Sequence, residues 1–131
     1  AFASRGLIAE HGIAWLLPRL IGEAKALDLL LSARIFKGVE AEILGLVNKS
    51  LSAEELEDFV ENYTKHLVER VSPRSMTIMK RQIRAGYSQT FSKSLEIADK
   101  EMFLSFEQDD FKEGVESFIE NRAPKFRGIG T

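Results

Sequence analysis

The sequence predicts a mainly α protein with a little β, laid out in two zones. Three observations carry that expectation. Residues 52–131 show long apolar stripes at helical spacing, whereas residues 1–51 are rich in Gly, Ala, Leu and Ile and break into short elements. Helix-start signals stand at Ser52-Ala-Glu-Glu55, a capping-box pattern, and at Ser72-Pro73, which puts proline at the first helical position. Strand-like runs are confined to residues 34–37 and 46–51.

In the first zone, residues 13–20 read as a short helix with Pro18 near its end, and Gly22 punctuates it. Residues 24–31 are strong helix formers with Leu27, Leu30 and Leu31 on one side. Residues 39–44 form a further short helix ended by Gly45, a good residue just past a helix C-terminus. In the second zone, Leu56, Phe59, Val60, Tyr63, Leu67 and Val68 mark one amphipathic face. Met76, Met79, Ile83 and Tyr87 mark the next, with Gly86 weakening its end, and the two methionines are expected in a core. Leu95, Ala98, Met102, Phe103 and Phe106 form a third stripe. Asp109 or Asp110 is expected to cap a fourth helix carrying Phe111, Val115, Phe118 and Ile119. Pro124, Gly128 and Gly130 make the tail irregular. Four amphipathic helices in succession need cover, either from one another in a bundle or from another subunit. The aromatic load of Phe103, Phe106, Phe111, Phe118 and Phe126 suits an interface core.

The totals bound the function. The length suits one domain with a real core. A net charge of −2 points to neither nucleic acid nor an anionic membrane. The absence of cysteine removes thiol nucleophiles, disulfides and thiolate metal sites, and favours a reducing, cytoplasmic setting. No apolar run approaches the roughly 20 residues needed to span a bilayer. The apolar run at residues 13–17 is too short for a signal-peptide core. Ala1 in place of Met reads as a processed, trimmed or truncated start.

One acidic residue stands out. Glu10 lies in the small-residue stretch GLIAEHG (residues 6–12), between an apolar lead-in and the apolar helix that carries Trp15, Leu16, Leu17 and Leu20. A carboxylate in apolar surroundings loses hydration and becomes a useful general base. The competing reading is a loop carboxylate that caps the helix starting near Gly12. His11 is read as a loop or pocket-lining residue and His66 as solvated; two histidines so far apart give no metal spacing. Trp15 is core or the wall of a pocket. Arg70, Arg74, Lys80, Arg81 and Arg84 lack interleaved aromatics and read as a solvated face.

In order along the chain, GLIAEHG, WLLPRLIGEAKALDLLL, EAEILGLVN, SPRSMTIMK and FEQDDFKEGVESFIENRAPKFRG together resemble the C-terminal half of the crotonase superfamily, the enoyl-CoA hydratases and isomerases. The resemblance covers nearly the whole chain. It implies that residues 1–51 are the last part of a β-β-α spiral and residues 52–131 a helical oligomerisation region, building trimers or hexamers. It implies an acyl-CoA thioester as substrate, with coenzyme A belonging to the substrate and no separate cofactor or metal.

In that family two backbone N–H groups stabilise an enolate-like oxygen, and both come from the N-terminal half, which this sequence does not include. Glu10 matches the acidic residue of the isomerase-like members and is the implied general base. The second glutamate of the hydratases, counted back from Gly6, falls on Phe2, a departure that weighs against water addition. Trp15 would line the acyl pocket. Phe118 matches the family aromatic near the adenine. The basic position beside it falls on Asn121, so Arg122 or Lys125 is expected to take over a phosphate contact. The expectation is a C-terminal fragment of such an enzyme, inactive alone. The alternatives are a non-catalytic helical module for self-association or partner binding, and a generic helical bundle.

Overall fold

The computed structural model describes residues 2–128. After a 3-10 turn at Ala3–Arg5 come seven helices: α1 (Ile13–Ile21), α2 (Glu23–Ser32), α3 (Gly38–Leu44), α4 (Ala53–Arg70), α5 (Pro73–Gly86), α6 (Phe91–Phe106) and α7 (Asp109–Ile119). The chain divides into two compact units, Ala1–Asp58 and Phe59–Thr131.

In the first unit α1 packs on α2 through Leu17, Ile21, Ala26 and Leu29. Ile13, Leu30, Phe36, Leu44 and Leu46 close around that core. Gly22 joins the two helices at φ 84 and ψ 155, a conformation open to glycine and strained for any other residue. Gly45 ends α3 at φ 83, as its position in the sequence predicts. Its N–H reaches Glu42 O at 2.9 Å while Leu46 N–H reaches Ala41 O at 2.8 Å, the paired bonds of a Schellman stop.

The expected strands do not form: among the described residues there is no strand. A strand needs a neighbour to take its backbone groups, and neither run has one among the described residues; side-chain bonds pin them as loops. Ser50 N–H donates to Glu42 Oε2 at 2.8 Å, and Lys49 Nζ to Glu42 Oε1 at 2.8 Å. Those bonds, Lys49 first, hold the Glu42 carboxyl below the usual range. Arg34 is anchored on Asp28 Oδ2 at 2.9 and 3.1 Å and on Glu40 at 2.6 Å. Ile35 between these anchors stays 95% exposed. The "little β" of the sequence reading is therefore corrected to irregular loops pinned by carboxylates.

The four later helices appear where their stripes place them. Ser52 and Glu55 form the capping box at the start of α4: Glu55 N–H to Ser52 Oγ at 3.2 Å, Ser52 N–H to Glu55 Oε2 at 3.1 Å. Every residue of α4 except Leu67 is exposed. In the second unit α5 packs on α6, and α6 on α7. Ser72 caps α5, accepting from Ser75 N–H at 3.0 Å, and donates its hydroxyl to Asp110. Asp110 and Asp109 thus lie in the first turn of α7, where the helix dipole favours them, and Gln108 occupies the capping position.

Arg74 departs from the expected solvated face, whereas Arg81 stays exposed. Glu101 on α6 takes both, and Arg74 adds a bond to Ser105 Oγ at 2.8 Å. Met76 is half-buried and Met79 exposed, so neither is core. The aromatics of α6 and α7 meet edge to face, Phe106 to Phe111 at 5.2 Å, yet remain largely exposed.

Leu17→Ala is expected to destabilise the first unit by about 2–5 kcal/mol, because it empties the best-buried leucine. Leu31→Ala, at an exposed position on the same helix pair, is expected to stay within about 0.5 kcal/mol. Urea unfolding of the two variants checks this, and equal midpoints contradict the assigned core.

Candidate functional site

The loop before α1 begins with the 3-10 turn, in which Phe2 O accepts from both Arg5 N–H and Leu7 N–H at 3.0 Å. Gly6 leaves that turn at φ 70. Residues 7–10 then run without regular structure. His11 (φ 52) and Gly12 (φ 76) follow as two consecutive left-handed residues. For histidine that conformation is uncommon and costs energy, so the surrounding turn must hold it. This reversal brings Ile13 N–H to Glu10 O at 3.0 Å, and Trp15 and Leu16 N–H to Gly12 O, also at 3.0 Å.

The Glu10 carboxylate is thereby placed at the head of α1. Its side chain is 48% exposed, and its contact among the described residues is His11 Nε2 at 3.6 Å. It does not cap the helix, so the competing reading from sequence does not describe what this group does. His11 is 92% exposed. The two neighbours face each other because the left-handed turn folds them together, a geometry that sequence adjacency alone does not reveal. Trp15, one turn into α1, lies outside the core; Arg19 stacks on its ring at 3.8 Å and donates to its carbonyl at 2.8 Å.

The other sequence-predicted residues gather at the end of the second unit. Phe118 is 86% exposed and lines a cavity of about 480 Å³ together with Phe111, Val115 and Phe126. Asn121 stands at φ 53 just past α7. Its N–H reaches Phe118 O at 3.3 Å and Arg122 N–H reaches Ser117 O at 3.0 Å, again the Schellman pair. Asparagine tolerates this left-handed position better than a lysine or arginine does, which explains the departure at 121.

Arg122 is held by carboxylates. Its NH1 and NH2 fork onto Glu113 at 2.6 and 3.1 Å, and its Nε reaches Glu120 at 2.5 Å. Lys125 is exposed, and its backbone N–H donates to Glu113 Oε1 at 2.5 Å. Glu113 was not legible as a site residue: its partners lie nine and twelve positions away across a proline-containing tail, a spacing with no periodic signature. These donors, Arg122 first and Lys125 N–H second, hold the Glu113 carboxyl down at about 2. The carboxylates of Glu113 and Glu120 in turn raise the Arg122 guanidinium further. Among the described residues no three His, Asp or Glu side chains cluster as metal ligands, and no helix is long and apolar enough to cross a membrane.

A family model described as Enoyl-CoA hydratase/isomerase matches residues 1–129. The chain belongs to the enoyl-CoA hydratase/isomerase family. It is 29% identical over 128 residues to a 1,2-epoxyphenylacetyl-CoA isomerase of Escherichia coli, covering 98% of this chain and 48% of that protein. To a probable enoyl-CoA hydratase of Bacillus subtilis it is 35% identical over 126 residues, covering 94% and 48%. A crystal structure of a probable enoyl-CoA hydratase/isomerase from Mycobacterium abscessus superposes with a TM-score of 0.86 at 25% identity, covering 97% of this chain and 50% of that one. The chain spans about half the length of the relatives it matches. Within this enoyl-CoA hydratase/isomerase chain, the structure separates the expected site residues into two groups, Glu10 and Trp15 in the first unit and Phe118, Arg122 and Lys125 in the second.

Two outcomes follow for the second group. Glu113 binds its proton more weakly folded than at the ordinary value of 4.5, so its contribution is present above about 4.5 and is lost as pH falls through about 2. The Lys125 amide proton shift is expected to titrate near 2 in the native chain and to lose that step in Glu113→Gln, as read by NMR. Asn121→Val is expected to cost about 1–2 kcal/mol and Asn121→Gly close to nothing, since only the first clashes in a left-handed position. Equal melting temperatures for the two variants contradict that account.

Proposed function

We propose that this chain is the catalytic-loop and helical portion of an enzyme acting on acyl-CoA thioesters, with Glu10 as its proton shuttle. The observation that carries the reading is the placement of Glu10. It sits at the head of an apolar helix, set there by two successive left-handed residues, in a chain of the enoyl-CoA hydratase/isomerase family. Strained backbone held at a lone carboxylate supports a catalytic assignment over an incidental one. The relatives' names share coenzyme A thioesters, as hydratase or isomerase substrates.

The chemistry has two parts. Deprotonation beside a thioester carbonyl builds negative charge on that oxygen, and preorganised N–H donors must receive it. The resemblance places those donors outside these 131 residues. Glu10 supplies the other part: it takes the proton from the α carbon and returns it at α or γ. Phe2 at the position of the second hydratase glutamate favours proton transfer over water addition. Trp15 lines the acyl pocket. Phe118 and Lys125 meet the nucleotide end of coenzyme A, Lys125 through its exposed ammonium, while Arg122 holds the segment. The exposed apolar faces of α4 to α7 support assembly into a homo-oligomer. The lack of cysteine supports a cytoplasmic setting.

Without oxyanion donors the chain alone should not turn over enoyl-CoA isomers in a spectrophotometric assay, and robust turnover overturns that division of labour. In the complete enzyme, Glu10→Gln is expected to lower kcat by about 10²–10⁴. A variant with full activity sinks the assignment and leaves the reading as an oligomerising, non-catalytic helical module, for which light scattering would report an assembly indifferent to acyl-CoA.

A further inference from the structure

The carboxylate of Glu113 does more than form a surface ion pair. Past Asn121 the chain reverses and runs back along α7. Seven residue steps lead from Glu113 to Glu120, a helical rise of roughly 10 Å. The tail retraces that distance in the five residues to Lys125. One carboxylate then grips the returning segment twice: through the Arg122 fork at 2.6 and 3.1 Å, and through the Lys125 backbone N–H at 2.5 Å. Arg122 also donates to Ala123 O at 3.2 Å, which stiffens the loop it closes. The residue after the second grip is Phe126, and its half-buried ring forms one wall of the 480 Å³ cavity opposite Phe111, Val115 and Phe118. Pro124, two residues before Phe126, has no N–H to give, so the grip on the segment falls to Arg122 and the Lys125 N–H.

We propose that Glu113 is a positioning residue, a latch that fixes residues 122–127 along α7 so that Phe126 completes the aromatic cavity beside Phe118. The role in substrate binding rests on the reading above, that this end of the chain meets the nucleotide portion of coenzyme A. Bidentate, charge-assisted pairing gives the latch its directionality, since a single carboxylate oriented by a guanidinium fork sets the tail's direction as well as its distance. Glutamine at 113 keeps the shape but loses the charge and half of the acceptor capacity.

The experiment has two arms. In the first, the full chain is digested briefly with trypsin, and cleavage after Arg122 and Lys125 is followed by mass spectrometry relative to cleavage after Arg84 in α5. Glu113→Gln is expected to raise that ratio by about tenfold, the effect of losing a hydrogen bond to a charged group. The internal ratio separates release of the tail from general unfolding. The exchange Glu113→Arg with Arg122→Glu, followed at Lys125, is expected to bring the ratio back toward the native value. An unchanged ratio in Glu113→Gln overturns the latch.

In the second arm, the complete enzyme is assayed with an acyl-CoA and with the corresponding acyl-pantetheine thioester, which lacks the nucleotide. Glu113→Gln is expected to raise KM for the CoA thioester by about tenfold, leave kcat within about twofold, and leave the pantetheine substrate unmoved. Equal losses on both substrates make Glu113 merely structural and overturn the positioning role. If the native enzyme itself does not distinguish the two substrates, the assignment of this end to coenzyme A fails, while the latch is judged by the trypsin ratio alone.

Discussion

Apolar surface in excess of what the chain can bury is the constraint on which the structure turns. Among the described residues, the buried apolar ones are Leu17, Ile21, Ala26, Leu29 and Ala41, all before α4. Helices α4 to α7 carry the larger aromatic load and leave it in solvent, Phe91 and Phe118 above all. Exposed apolar area on this scale is what the proposed homo-oligomer would cover. The second unit is therefore held by means that need little core. These are capping at Ser72, the Glu101 clamp on Arg74 and Arg81, and the Glu113 clamp on Arg122. Each is local or joins neighbouring helices, and each leaves the apolar faces available.

What was legible in the sequence follows the same physics. A helix satisfies its own backbone, so its pattern is complete within one stretch of chain. The stripes, the capping box at Ser52 and the stops at Gly45 and Gly86 accordingly match the structure. A strand borrows its partners from elsewhere. The runs at 34–37 and 46–51 had the right residue types and no strand partner among the described residues, and side-chain bonds to Asp28, Glu40 and Glu42 pin them as loops instead. Asp110 shows a subtler limit. Read alone it is an N-cap; in three dimensions Ser72 claims its carboxylate, and the cap moves to Gln108. The Glu113 clamp was illegible because its geometry depends on a left-handed reversal at Asn121.

The two groups of proposed site residues differ in how far this chain builds them. At Glu10 the backbone is fixed by the His11–Gly12 turn, but the side chain stays half in water beside an exposed imidazole. For the base proposed at Glu10, the backbone is set while the side-chain environment is still hydrated. General-base efficiency needs both, and the solvent must be removed by something that covers the loop. The apolar residues around it, Leu7, Ile8, Trp15 and Leu16, are exposed in the same way, so cover over Glu10 would bury them together.

At the far end the chain finishes its own work. Arg122 forms its fork with Glu113 and adds Glu120 through Nε, so its charge is already answered. A guanidinium so satisfied gains less from a phosphate than a solvated ammonium, because it must first leave two carboxylates. That asymmetry divides the labour between neighbours that the sequence could not tell apart. Arg122 gives the segment its direction, and Lys125, tied down only by its backbone N–H, keeps its ammonium in solvent where a ligand can reach it.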